Sequence, residues 1–403
     1  MTQPHAGRKE TEMMRMDPPR GFGTPEFQKR TVTIQAAMAQ EGLDGLLVMS
    51  EAEVRYFSGF HTPFWQSPTR PWFLFIPAEG APVAVIPEIG AALMRTTWIT
   101  DIRTWAAPNP ADDGVSLLSD LLAPLAQKGA YLGVMKGHET GFRMPLGDWE
   151  HLMARLTGLK IKDATKIVQA ARMIKSEAEL EKLVHICRIG SATFSRLPEV
   201  ITPDMPLQEV FRAFRTEALA QGADDVPYVV GGSEQGGYGD VISLPSMRPI
   251  AKGDVLMIDS GCVWDGYFCD FDRNWAIGRA DATAQRVYDV LWRATQAGIE
   301  AAKPGVRACD LFHAMSRVMS ELSQEGGDIG RLGHGLGMQL TEQPSLAAFD
   351  DTVLQENMVL TLEPSLSYGS GLMMVHEENI AVTPSGGRLL TERASADLPV
   401  LFD

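Results

Sequence analysis

Apolar residues recur at helical spacing over residues 24–41, with Phe27, Val32, Ile34, Ala37 and Met38 on one side, and Gly42 closes the run. The pattern then shortens to apolar runs of strand length at 45–49, 72–77, 83–87, 102–105, 131–135 and 160–163. Helical periodicity returns between them at 50–56, 87–98, 115–126 and 146–157. An aromatic and proline-rich stretch, 57–72, is expected to be a loop. Strands alternating with helices predict an α/β domain around a mixed or parallel sheet.

The pattern changes near Ile174-Lys175-Ser176. Ser176 with Glu179 three places on reads as a capping box opening a helix to about residue 197. A second helix is expected over 206–221, a strand over 228–232, and a glycine-rich loop over 231–239. Amphipathic helices follow at 282–302 and 309–324, and 358–390 reads as strand-rich. The expected division is a flexible arm at 1–23, one domain at 24–174 and a second at 175–403.

Within the second domain lies VLMIDSGCVWDGYFCDFDRNW, residues 255–275. Asp265-Gly266 between apolar runs is a strong signal for a two-residue hairpin turn. That turn pairs Trp264 with Tyr267, Gly261 with Asp270, and Asp259 with Asp272. Alternation then puts Asp259, Gly261, Asp270 and Asp272 on one face, with Gly261 expected to leave a hole opposite Asp270. Three carboxylates on one face repel unless a cation sits between them or water solvates them. The apolar flanks (residues 255–258 and 275–277) favour the cation.

Composition narrows the partners. The chain has 403 residues and a net charge of -15, which argues against nucleic acid or an anionic membrane as partner. No apolar run has transmembrane length, and residues 1–21 lack a secretory apolar core, so a cytoplasmic location is expected. The cysteines Cys187, Cys262, Cys269 and Cys309 form no CxxC. The hairpin register sets Cys262 opposite Cys269, as a cross-strand disulfide or as two reduced core thiols, and the absence of an export signal favours the latter.

Three later stretches carry groups a metal can use: Gly333-His334-Gly335, Glu363-Pro364 after an apolar strand, and His376-Glu377-Glu378-Asn379. With Asp259 and Asp270 eleven positions apart, this order resembles the creatinase/prolidase/aminopeptidase P/methionine aminopeptidase family, the pita-bread metallopeptidases. The resemblance covers about 176–403. Residues 54–60, Val-Arg-Tyr-Phe-Ser-Gly-Phe, resemble a stretch of the creatinase-type N-terminal domain. The fold implied is an α/β creatinase-like N-terminal domain followed by an α+β pita-bread domain. The ligands implied are Asp259, Asp270, His334, Glu363 and Glu377 around two divalent ions. Asp270 and Glu377 would bridge, Asp259 would complete one site, and His334 with Glu363 the other. Four carboxylates balance two such ions, leaving a bridging water to ionise, and oxygen ligands with one imidazole suit Mn, Fe, Co or Zn. Glu363, with Asp272 as the other candidate, would handle the proton. The activity implied is Xaa-Pro peptidase-like cleavage of a C–N bond in a short peptide or small molecule, in a homodimer.

The chain also departs from that pattern. Where the peptidases carry histidines it has Ile242, Gly330 and Thr341, and where they carry an arginine two places before the last glutamate it has Val375. Asp272 stands where they usually have threonine, and would orient a ligand, act as a base, bind a cationic substrate, or simply accept a hydrogen bond. These departures leave other chemistries of the fold as alternatives: creatinase- or ectoine-hydrolase-like C–N hydrolysis, or a lyase reaction on a zwitterion resembling dimethylsulfoniopropionate. His376 is expected to face away from Glu377 and to pack, and His185 and His313 to be ordinary helix residues. Phe60, His61, Phe64, Trp65 and Trp72 would line a substrate pocket or belong to the core.

Overall fold

A computed structural model describes residues 17–67, 70–322 and 330–402, so most of the expected arm and the end of the helix expected at 309–324 lie outside it. The chain forms two compact units, one of Gly21–Arg172 and one of the remainder.

The first unit opens with the helix Thr24–Glu41, closed by Gly42 in the left-handed conformation. Six strands follow: β1 (Gly45–Val48), β2 (Phe73–Pro77), β3 (Val83–Pro87), β4 (Asp101–Trp105), β5 (Tyr131–Val134) and β6 (Lys160–Asp163). They form one mixed sheet in the order β4-β3-β2-β1-β5-β6. Its core joins Leu47, Phe73, Val85 and Leu132 to Leu118, Leu122 and Leu152 from the helices Val115–Gln127 and Leu146–Arg155. The helix expected over 87–98 is cut to two short turns, Glu88–Gly90 and Ala91–Met94. Gly90 passes so close to Trp72 that a Cβ would lie 2.2 Å from the indole. Thr165–Met173, to which the hydrophobic pattern assigns no element, is helical. Asp163 Oδ1 accepts its Thr165 N–H at 3.0 Å. Phe60, Trp65 and Trp72 are buried with their rings 5.1 to 6.1 Å apart, so these three are core, while Phe64 is exposed.

In the second unit the capping box forms as expected, and the helix Glu177–Val200 runs from it. The long strands β7 (Asp225–Gln235) and β8 (Asp254–Trp264) pair antiparallel, followed by β9 (Tyr267–Phe268) and β10 (Phe271–Ile277). The expected glycine-rich loop thus begins as strand. Gly231, with φ 140°, lies where a Cβ would meet the Met257 carbonyl oxygen at 2.2 Å, so only glycine lets β7 and β8 approach. A second sheet holds β11 (Gly333–Gly335), β12 (Glu342–Ser345), β13 (Val359–Leu362), then, past the small hairpin β14 (Ser365–Tyr368) and β15 (Leu372–Val375), β16 (Glu378–Thr383) and β17 (Gly386–Leu389). The helices Ala282–Ala301 and Ala308–Met319 bury Val287, Leu291, Ala294 and Met315 against Leu360, Leu362 and Ile380 of that sheet.

The hairpin has the register its turn dictates. Asp265 and Gly266 both have positive φ, 43° and 69°, as a type I′ turn requires. Trp264 pairs with Tyr267 and Asp259 with Asp272. Cys262 and Cys269 are buried free thiols. The turn is tied down at its tip. Lys182 Nζ bonds Asp265 at 2.6 Å, and Asp224 accepts the Asp265 N–H at 2.7 Å. Arg20 grips Asp224 through two 2.7 Å bonds and lies over the Trp264 ring. Charged groups held this way resist the fraying that would let the register slip.

Candidate metal centre

Each sheet delivers part of the site. The β8–β10 hairpin supplies Asp259, Asp270 and Asp272 on one face. The second sheet supplies His334 from β11, Glu363 at the end of β13, and Glu377 just before β16. Asp259, Asp270 and Glu377 each offer an oxygen within 4.8 Å of the others. His334 Nε2 lies 3.5 Å from Asp270 Oδ2 and 3.8 Å from Glu363 Oε1. Residues more than a hundred positions apart therefore converge, with Asp270 touching both halves of the group. The resemblance implies five of them as ligands, with Asp272 a further candidate.

Backbone and side-chain bonds fix each group. Asn379 clasps Asp270 by its main chain: its Oδ1 accepts the Asp270 N–H at 3.0 Å and its Nδ2 donates to the Asp270 carbonyl at 2.5 Å. Thr361 donates to Glu377, and the Tyr228 hydroxyl donates to Asp259 Oδ2. His334 Nδ1 sits 2.9 Å from the Gly335 carbonyl, a contact that needs a proton on Nδ1 and leaves the Nε2 lone pair for the site. Tyr228, Thr361 and Asn379 escape motif reading because their roles depend on cross-strand pairing. Tyr228 faces Gly261 across β7–β8, and Asn379 faces Thr361 across β13–β16.

The expected hole at Gly261 is absent. A Cβ there would meet Leu340 Cδ1 at 2.6 Å and Tyr228 Cδ1 at 3.1 Å. The glycine makes room for these two side chains and so lets Tyr228 reach Asp259.

The electrostatics show what the group lacks. Burial, the largest cause throughout, lifts Asp259 to about 6 and Glu363 to about 7. Asp270, Asp272 and Glu377 are pushed well above the carboxylate range by burial and then by their acidic neighbours. Burial lowers His334 to about 4, so its imidazole is neutral, as a ligand must be. Asp259 Oδ1 and Asp272 Oδ1 are buried and accept no hydrogen bond. Crowded carboxylates, two orphaned acceptor oxygens and one neutral imidazole with a presented lone pair fit divalent cations. Arg331, the nearest cation to Glu363, keeps its Nε 3.9 Å from Oε1.

The other histidines do as expected. His376 is buried, with Nδ1 3.0 Å from Thr295 Oγ1 and its ring edge-on to Tyr288. His185 packs edge-on against Trp264, and His313 against Phe312.

Residues 181–384 match the model of metallopeptidase family M24, and residues 30–174 match the creatinase/prolidase N-terminal domain. The chain is 27% identical over 389 residues to a probable dipeptidase PepE of Mycobacterium tuberculosis, covering 95% of this chain and 98% of that one. It is 24% identical to an Xaa-Pro dipeptidase of Pyrococcus horikoshii, covering 88% of this chain and 94% of that one. The crystal structure of dipeptidase PepE from Mycobacterium ulcerans superposes with a TM-score of 0.82 at 26% identity, over 94% of this chain and 99% of that one. The two-part architecture expected from the motifs is thus the one the protein has. No helix among the described residues is long and apolar enough to cross a membrane. The chain belongs to metallopeptidase family M24, a family of metal-dependent hydrolases, with a creatinase/prolidase N-terminal domain preceding the family's own.

Proposed function

We propose that this chain hydrolyses an amide bond in a dipeptide-sized substrate, with two divalent ions held by Asp259, Asp270, His334, Glu363 and Glu377. The observation that carries the reading is the convergence of these groups from two sheets, with His334 presenting Nε2 between Asp270 and Glu363. The dipeptidase names of the M. tuberculosis and P. horikoshii relatives support a short peptide as substrate. They also favour hydrolysis over the lyase alternative. Bound ions would bring the ionisation of water close to neutral pH and polarise a carbonyl oxygen.

The protein's own residues divide the remaining work. Asp270 and Glu377, both buried, hold charge at the centre; Asn379 anchors the main chain of Asp270, and Thr361 donates to the Glu377 carboxylate and keeps it from rotating. Tyr228 fixes Asp259 in the same way. Glu363 has a side chain 25% exposed, with Oε1 3.9 Å from Arg331 Nε and 3.8 Å from His334 Nε2. That position suits a group that takes a proton from water and returns it to the departing amine.

Glu363→Gln should therefore lower kcat by about 100- to 10,000-fold with little change in KM. Steady-state kinetics on a dipeptide panel, with metal content measured alongside, checks this. Undiminished kcat would remove Glu363 from the proton-transfer role. Mass analysis of the products tests the reaction class: cleavage must add one water across the amide, and an unsaturated elimination product would instead support the lyase reading.

A further inference from the structure

We propose that Asp272 is a sixth residue of the metal shell, its free oxygen and that of Asp259 together holding one cation. This rests on the two-ion reading above and assigns a residue which that reading leaves idle.

Asp272 is directly opposite Asp259 across the β8–β10 ladder, on the same face. It is 1% exposed. Asp272 Oδ1 and Asp259 Oδ1 are both orphaned acceptors, whereas the second oxygen of each is held by a neighbour. Such an orphan is costly unless something electropositive meets it. Arg273, the adjacent cation, lies on the other face of β10. Its N–H groups go to the carbonyls of Asp272, Glu377 and Glu392 and to the Glu378 carboxylate.

The free oxygen is held in place by a bonded chain. Asn274 Nδ2 donates to Asp272 Oδ2 at 2.5 Å and to the Val375 carbonyl at 2.8 Å. Asn274 Oδ1 accepts from the Tyr238 hydroxyl at 3.1 Å, and Tyr238 in turn accepts the Val375 N–H at 2.8 Å. Every member of this chain is buried. A carboxylate kept as a mere hydrogen-bond acceptor would not need one oxygen clamped while the other stays unpartnered on the face it shares with Asp259.

Asp259, Asp270, Asp272, Glu363 and Glu377 carry one more negative charge than two divalent ions neutralise. Oxygen-rich, highly charged shells suit a hard ion that accepts high coordination, so the extra carboxylate should strengthen Mn²⁺ binding and narrow the margin by which Zn²⁺, usually four-coordinate, ordinarily outbinds it.

The test is calorimetric titration of Mn²⁺ and, separately, Zn²⁺ into chelator-treated protein, for wild type, Asp272→Asn, Asp272→Thr and Asn274→Ser. Wild type should bind two Mn²⁺. Both Asp272 variants should weaken one Mn²⁺ site by about tenfold or more and widen the margin by which Zn²⁺ binds more tightly. Asn274→Ser should do the same to a smaller degree, since it frees the carboxylate without removing it. The electron paramagnetic resonance spectrum of bound Mn²⁺ should change in the Asp272 variants. Thermal melts of the metal-free proteins establish that each variant is folded. Unchanged Mn²⁺ isotherms and spectra in folded Asp272 variants would overturn the proposal while leaving the two-ion reading intact. A wild type that binds no Mn²⁺ or Zn²⁺ would overturn both.

Discussion

Asp270→Ala should leave the protein folded and without bound metal, and amide hydrolysis should fall below detection. Asp270 is in contact with both halves of the site: it lies within 4.8 Å of Asp259 and Glu377, and 3.5 Å from His334. Removing it deprives two ions of a shared ligand rather than one ion of a private one. The fold should survive because Asp270 is itself a buried acid among acids, held far above its ordinary pKa by burial and by Asp259 and Glu363. Deleting it relieves repulsion in the metal-free state. The expected pattern is therefore loss of both ions by elemental analysis, with a metal-free melting temperature equal to or above that of chelated wild type. Two retained ions in Asp270→Ala would show that the site is built on other groups.

Xaa-Pro dipeptides should be poor substrates, with kcat/KM below about 10⁴ M⁻¹s⁻¹ in the enzyme loaded with Mn, Zn, Co or Fe. A bond to proline needs an acid near the imide nitrogen and a donor for the carbonyl oxygen. The positions where the resemblance places histidines for these tasks hold Ile242, Gly330 and Thr341. Ile242 is 80% exposed, on a loop where Asp240 accepts from Ile242 and Ser243. Val375, where the arginine would stand, is buried and gives its N–H to Tyr238. Losing one acid–base group costs about a hundred- to ten-thousand-fold, and several acting together lose less than the product of their effects. Ordinary dipeptides, whose leaving nitrogen becomes a less crowded primary amine, should be cleaved better. Efficient Xaa-Pro turnover would mean that residues outside those positions supply the acid and the donor.

The hairpin was legible because its information is local. Asp265-Gly266 permits one turn type, and the turn then aligns every pair up to Asp259 and Asp272. The convergence of the more distant groups was legible only through the resemblance, since spacing alone cannot bring His334 or Glu377 to Asp270. What stayed hidden depends on shape. Gly261 reads as a gap, yet Leu340, remote in sequence, fills the space beside it. The helix expected over 87–98 has the right periodicity, but Trp72 presses on Gly90 and the segment forms only short turns. Thr165–Met173 follows β6 with a single intervening residue, too abrupt a change of period for pattern reading to separate.

One feature of the site also governs how the protein holds together. Its groups come from two sheets that share no strand: the hairpin's aspartates belong to one, and His334, Glu363 and Glu377 to the other or its margins. Without cations, the seam between these layers is a line of mutual repulsion bridged by the Asn379–Asp270 clasp. With cations, the same seam becomes a rivet. An ion held by both layers should leave slowly, with its release coupled to breathing of the seam. Amide hydrogen exchange at β8, β10, β11 and β13 should slow together on loading, and metal loss to excess chelator should proceed at the opening rate that exchange reports.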